Sequence, residues 1–363
     1  MKKYSTILAI AIITTFAMYL QSCKKDPPAN NGGGNNGTVI TPVEMTPYNL
    51  VPPAFYPPAE IPEDNKMYEE RIALGKMLFF DKRLSNDGST CESCHQQKYG
   101  FGDDKLSVPD KGLTSLPLIN LAWYKNFMWN SRIIGSLEDV MFAEVTVRFE
   151  TDMDKINAIE EYKTMFKQYY DIDNITAEDL AKALAQYMRV LVSADTKYDR
   201  YFRGMAQLTA SEERGRQIFF REAKSDPNSK ENSGGDCFHC HVNVITTDNI
   251  LHNNGIDSAY AKEIDKGFYN VTKDPKDLGK FRTPTLRNVA LRPQYMHDGR
   301  FKTLREVIDF YDHGVHAVQN IDPLMTKPEK VDGLNLSEQD KLDLIAFLNT
   351  FTDSTMITSE KFK

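Results

Sequence analysis

Cys91-Glu92-Ser93-Cys94-His95 and Cys237-Phe238-His239-Cys240-His241 repeat one pattern, C-x-x-C-H, at two places in a chain of 363 residues. This is the spacing of covalent c-type haem attachment. The two thiols add to the vinyl groups on one edge of a porphyrin, and the adjacent histidine reaches the iron from one face. Cys91, Cys94, Cys237 and Cys240 are therefore expected to hold two covalently bound c-type haems, with His95 and His241 as axial ligands. A structural zinc held by the two C-x-x-C pairs leaves both following histidines unexplained. A thioredoxin-like redox pair needs a βαβ context, which the surrounding pattern lacks.

Each motif sits in a copy of a longer pattern. Gly75-Lys76-Met77-Leu78-Phe79-Phe80 precedes the first, and Gly215-Arg216-Gln217-Ile218-Phe219-Phe220 precedes the second. Pro117, Asn120, Met128-Trp129-Asn130-Ser131-Arg132, Leu137 and Val140 follow the first; Pro284, Asn288, Met296-His297-Asp298-Gly299-Arg300, Leu304 and Val307 follow the second. This is a duplicated domain, not a long repeat array. Apolar residues at helical spacing predict helices over 69–80, 177–193, 212–220, 304–311 and 337–351, the last opened by an N-cap box of Ser337 and Asp340. No series of alternating strands is visible. The fold class is mostly α: two tandem c-type cytochrome domains, residues 61–205 and 206–363, each with one covalent haem. With 41% of residues hydrophobic, the chain is long enough for two cores.

The beginning reads as a targeting segment. Lys2 and Lys3 precede an apolar run over 7–20, the length of a signal-peptide core and short for a bilayer span. Leu20-Gln21-Ser22-Cys23 resembles a bacterial lipobox, which makes 1–22 a lipoprotein signal and gives the odd cysteine of five, Cys23, a lipid to carry. Gln21 is less usual there than a small residue, so ordinary cleavage and an unprocessed anchor are the alternatives. Residues 23–60 read as a flexible Gly/Asn/Pro-rich tether with nothing to bury. The expected location is the periplasm or cell envelope, with membrane contact only through the lipid anchor. A net charge of −7 argues against nucleic acid, and either suits a basic redox partner or only maintains solubility.

With Arg282-Thr283-Pro284-Thr285-Leu286-Arg287-Asn288 and Tyr295-Met296-His297-Asp298-Gly299 added to these motifs, the chain resembles the bacterial di-haem cytochrome c peroxidase family over about residues 60 to 352. The resemblance implies an N-terminal haem that binds and cleaves hydrogen peroxide. It implies a C-terminal haem that takes electrons from a small cytochrome c or copper protein, and matches Trp129 to a tryptophan between the two haems. Two departures stand out. Many members carry a distal histidine soon after the first haem motif, yet here the histidines are 95, 239, 241, 252, 297, 313 and 316, with none between His95 and His239. The first iron is then expected to be open on one side without reductive activation, unless Met128 closes it. Fourteen residues after the histidine of the H-D-G motif, where the peroxidases usually have an axial methionine, this chain has Tyr311. A phenolate ligand there lowers the potential and stabilises high oxidation states. That is similar to the methylamine-pathway enzyme that oxidises tryptophans in a partner protein. The alternative is a buried Tyr311, with Met296 or Met325 on the iron.

Peroxide cleavage also needs a carboxylate over the open iron to move a proton between the two oxygens. Matching by family position points to Glu150; matching by internal repeat points to Glu144, the counterpart of Tyr311; Asp139 is a poorer third. Glu150 is slightly preferred. The family's distal glutamine falls on Val140. A calcium ion between the domains is a further implication, with its asparagine ligand falling near Thr114 and the carbonyls of Arg292 and Gln294 retained. His297 is expected to hydrogen-bond near the second haem, and His313 and His316 to be surface or turn residues. The order of functions is peroxidase, then peroxide-driven oxidase of protein or small-molecule side chains, then electron-transfer cytochrome.

Overall fold

Reciprocal caps open the principal helices. At Ser136, Thr176, Thr209, Thr303 and Ser337 the hydroxyl accepts from the backbone N–H three residues on, and that residue's carboxylate accepts from the cap's own N–H. The helices of a computed structural model run over Glu69–Phe80, Leu137–Ala143, Ala177–Val190, Ala210–Phe219, Leu304–Asp309 and Glu338–Asn349, with shorter ones between. The structure describes residues 40–107, 112–224, 233–242, 244–326 and 333–363; Cys23 and residues 24–39 of the expected tether lie outside them. The described strands are two-residue antiparallel pairs, such as Asn126–Phe127 with Ile133–Ile134. Among the described residues no helix is long and apolar enough to cross a membrane.

The duplication read in the sequence is a duplication in space. Glu69–Phe80 crosses Ala177–Val190, and Ala210–Phe219 crosses Glu338–Asn349. At each crossing a glycine of the repeated motif removes the side chain. A Cβ on Gly75 would fall inside the Ala183 carbonyl, and one on Gly215 inside the Asp343 carbonyl. Around the first pair lies a core containing Leu78, Phe79, Val145, Leu180 and Tyr187. Around the second lies one containing Ile218, Phe219, Val289, Leu304 and Phe347. Both belong to one compact unit, residues 40–363.

A buried seam joins the halves. Asn120 and Asn288 are counterparts, both left-handed (φ 58° and 60°), and each accepts through its side-chain oxygen from a backbone N–H, Ser193 and Asp353 respectively (both 2.8 Å). Asp353 in turn accepts from the Ser193 hydroxyl and from the N–H groups of Ala194, Asp195 and Met356 at 2.9–3.1 Å.

Two expectations need correcting at the ends of the chain. Residues 40–60, expected to bury nothing, are laid along the body. Val43 N–H donates to the Gln168 carbonyl, Tyr48 N–H to Met67, and the Trp123 indole to the Pro57 carbonyl. Tyr56 is buried, its hydroxyl accepting from Asn120 (3.1 Å). Proline-rich composition keeps the arm out of helices but leaves its aromatic and backbone groups available for docking. The last residues, assigned with 206–363 to the second half, pack on the first: Met356 and Phe362 lie in its core, and Tyr187 donates to the Phe362 carbonyl (3.2 Å).

Because both helix crossings are closed by backbone contact, Gly75→Ala and Gly215→Ala should each destabilise the protein by about 1–3 kcal/mol. Guanidinium unfolding of the haem-loaded variants, followed by far-UV circular dichroism, measures this; unchanged midpoints would contradict the crossing geometry.

Candidate active site

Cys91, Cys94 and His95 line one wall of a cavity of about 1050 Å³, closed by Leu116, Leu121, Phe127, Val140 and Phe149. Cys237, Cys240 and His241 line a second, of about 1500 Å³, with Leu286, Val289, Leu304 and Val307. Burial pushes the Cys91 thiol up. Two thiols, one imidazole and an apolar lining fit one covalent haem per cavity.

The two histidines are oriented in the same way. His95 Nδ1 lies 3.1 Å from the Phe101 carbonyl, and His241 Nδ1 lies 3.2 Å from that of Thr246. Donation from Nδ1–H selects the tautomer in which Nε2 carries the lone pair. Both acceptors are left-handed residues, Phe101 at φ 60° and Thr246 at φ 58°.

Trp129 lines both cavities, as do Thr114, Leu116, Pro117 and Arg282. The Trp129 indole donates to the Thr114 carbonyl (2.7 Å). Thr114 donates through its N–H to the His297 carbonyl and through its hydroxyl to the Met296 carbonyl, both at 2.8 Å. Arg282 returns the stitch, its N–H to the Trp129 carbonyl (2.8 Å) and its Nε to that of Met128 (3.2 Å). Burial lowers the Arg282 pKa from its usual value. In the sequence Arg282 is only one member of a longer motif; nothing in its spacing announces that it lies in the wall between the cavities.

The candidate carboxylates separate clearly. Glu144 lines the first cavity with Arg148. It opens a π-helical turn, Glu144–Arg148, in which Phe149 N–H donates to the Glu144 carbonyl (2.8 Å). Such widened turns recur at functional sites. Glu150 is exposed, left-handed (φ 48°) and absent from the described lining. Asp139 accepts from Ser136 N–H and hydroxyl (both 2.7 Å) as the closing half of a helix cap. Val140 is in the lining, where its side chain offers no hydrogen bond. Met128 also lines this cavity, and His95 is the only histidine among its described lining residues.

The second cavity also has a π-helical turn, Phe310–Gly314, beginning one residue before the repeat counterpart of Glu144, and this one carries Tyr311 into the lining. Burial pushes the Tyr311 hydroxyl up to about 12, against a hydrogen bond from Asn254 Nδ2 (3.1 Å) that lowers it. Met296 and Met325 line the same cavity. Asn254 has no signal in the sequence. The matched turns do: the repeat alignment that pairs Glu144 with Tyr311 is a better guide than family position. His297 is buried and lines this cavity, while His313 and His316 are exposed.

A family model described as "Di-haem cytochrome c peroxidase" matches residues 69–207. Cytochrome-c peroxidase IdrP1 of Pseudomonas sp. (strain SCT) is 33% identical over 336 residues, covering 81% of this chain and 84% of the relative. Methylamine utilization protein MauG of Methylorubrum extorquens is 30% identical over 303 residues, covering 80% of each. A solved structure of a MauG-like protein associated with microbial copper homeostasis superposes with a TM-score of 0.74 at 30% identity, covering 87% of this chain and 99% of that one.

If each C-x-x-C pair holds its own cofactor, C91S/C94S and C237S/C240S should each halve the covalently bound haem per chain. The pyridine haemochrome assay on denatured, acid-acetone-extracted protein reads this directly.

Proposed function

The chain belongs to the di-haem cytochrome c peroxidase family, and we propose that it reduces hydrogen peroxide to water in the His95 cavity with electrons from a small cytochrome c or copper protein. The observation that carries this reading is Glu144, a carboxylate on a widened helical turn in the same cavity as Cys91, Cys94 and His95. Each peroxide takes up two electrons and two protons and yields two waters. When bound, the two haems supply the redox chemistry.

The chain's own residues orient, bridge and move protons. His95 and His241 would hold the two irons, their rings oriented by the Nδ1 hydrogen bonds. Glu144 carries the proton from the near to the far peroxide oxygen, and the absence of any second histidine among the described lining residues leaves room for peroxide. Trp129 is the aromatic bridge between the cavities, held at both faces of the wall by Thr114 and Arg282. The two cores support two tandem haem domains, 61–205 and 206–363, with the last ten residues returned to the first. A calcium ion between the halves, at the carbonyls of Arg292 and Gln294, rests on the family resemblance alone. The lipobox-like segment supports export, with anchoring through Cys23.

Tyr311 favours a second reading, a peroxide-driven oxidase of protein or small-molecule side chains. Its phenolate as an axial ligand would hold the His241 site at low potential, suited to storing oxidising equivalents, not to accepting electrons.

Glu144→Gln should lower kcat for peroxide about 10²- to 10⁴-fold, the usual range for losing a positioned acid/base group. Glu150→Gln should leave it nearly unchanged, and the reverse ranking would restore the family-position assignment. Wild-type protein should turn over steadily with a reduced small cytochrome c. Stalling with that donor, while a side-chain substrate is oxidised, would favour the second reading. Fully oxidised protein mixed with equimolar peroxide should change its Soret band at once; a requirement for prior reduction would mean that a group such as Met128 closes the first iron.

A further inference from the structure

At the edge of the second cavity, which His297 lines, three side chains that the peroxide chemistry does not use converge within the fold. His297 Nε2 lies 3.2 Å from Asp265 Oδ1 and 3.9 Å from Asp257 Oδ2, and all three residues are more than nine-tenths buried. Arg300 pairs with the other oxygen of Asp257 and with Asp298, leaving Asp257 Oδ2 buried without a hydrogen-bond partner. Arg300 therefore meets two carboxylates, those of Asp257 and Asp298, while the third, Asp265, faces His297. Burying such an excess of negative charge is costly unless a cation compensates.

We propose that Asp257, Asp265 and His297 bind a divalent transition-metal cation, with zinc as the representative ion. One imidazole nitrogen and two carboxylate oxygens are a donor set for that class. A tetrahedral centre with bonds of about 2.0–2.1 Å sets its ligands roughly 3.3 Å apart. The 3.2 and 3.9 Å separations bracket that value, and the three ligand atoms lie within 4.8 Å of one another. The His297 ring is held for the purpose, stacked on Phe281 at 4.0 Å and 13°, and Arg300 supports the metal-facing Asp257 through its second oxygen. The site is distinct from the C-x-x-C-H motifs and does not depend on the peroxidase reading.

The test uses haem-loaded wild-type protein, Asp257→Asn and Asp265→Asn. Each is stripped with chelator, incubated with zinc, desalted, and assayed for zinc and iron together. The wild type should retain one zinc for every two irons, and each variant less than about a tenth of that, with the haem spectrum unchanged. No retention by the wild type, or full retention by both variants, overturns the site. Zinc K-edge X-ray absorption on the wild type decides the matter even if the variants fail to fold. A nitrogen/oxygen shell at about 2.0–2.1 Å with imidazole outer-shell scattering is expected; sulfur ligation, or oxygen alone, overturns it.

Discussion

Thr114 bonds to both halves of the chain at once, through three different groups. Its carbonyl accepts from the Trp129 indole, its N–H donates to the His297 carbonyl, and its hydroxyl donates to the Met296 carbonyl. Arg282 also ties the turn that carries Trp129, bonding to the Trp129 and Met128 carbonyls. The wall is therefore cross-linked where both cavities share it. Electron passage between two cofactors depends on a separation that does not drift, and a wall held by short hydrogen bonds in a buried setting supplies that constancy. The seam of Asn120, Ser193, Asn288 and Asp353 repeats the strategy further from the cavities.

The two halves of the chain share several local features. Both copies cross helices over a glycine, bond the axial histidine to a left-handed carbonyl and widen a helix into a π turn. The turn then presents a carboxylate in one cavity and a phenol in the other. A π turn inserts one residue into the helical period and rotates the residues after it. The two side chains, Glu144 and Tyr311, are equivalent by the repeat and both lie within these turns.

Local patterns carry most of what is legible in the sequence. The haem motifs, the duplicated segments and the N-cap box of Ser337 and Asp340 involve residues only a few positions apart, and the structure has them where spacing suggests. The predicted helix over 304–311 ends early because its last residues enter the π turn, which leaves no mark in composition. Position along the family pattern favours Glu150, but its left-handed backbone turns the chain at the protein surface. The arm over 40–60 and the partnership of Asn254 with Tyr311 join residues far apart in sequence. Such contacts depend on tertiary placement, to which periodicity is blind.

The docked arm has a mechanical meaning. Its attachments are spread along its length: Val43 to Gln168, Tyr48 to Met67, Tyr56 to Asn120, and Pro57 to Trp123. A force applied at residue 40 meets the outermost bond first and must break the attachments in succession, as in peeling tape, before it reaches Tyr56 beside the seam. Tension from that end is dissipated stepwise at the perimeter, and the wall between the cavities is the last part of the molecule to feel it.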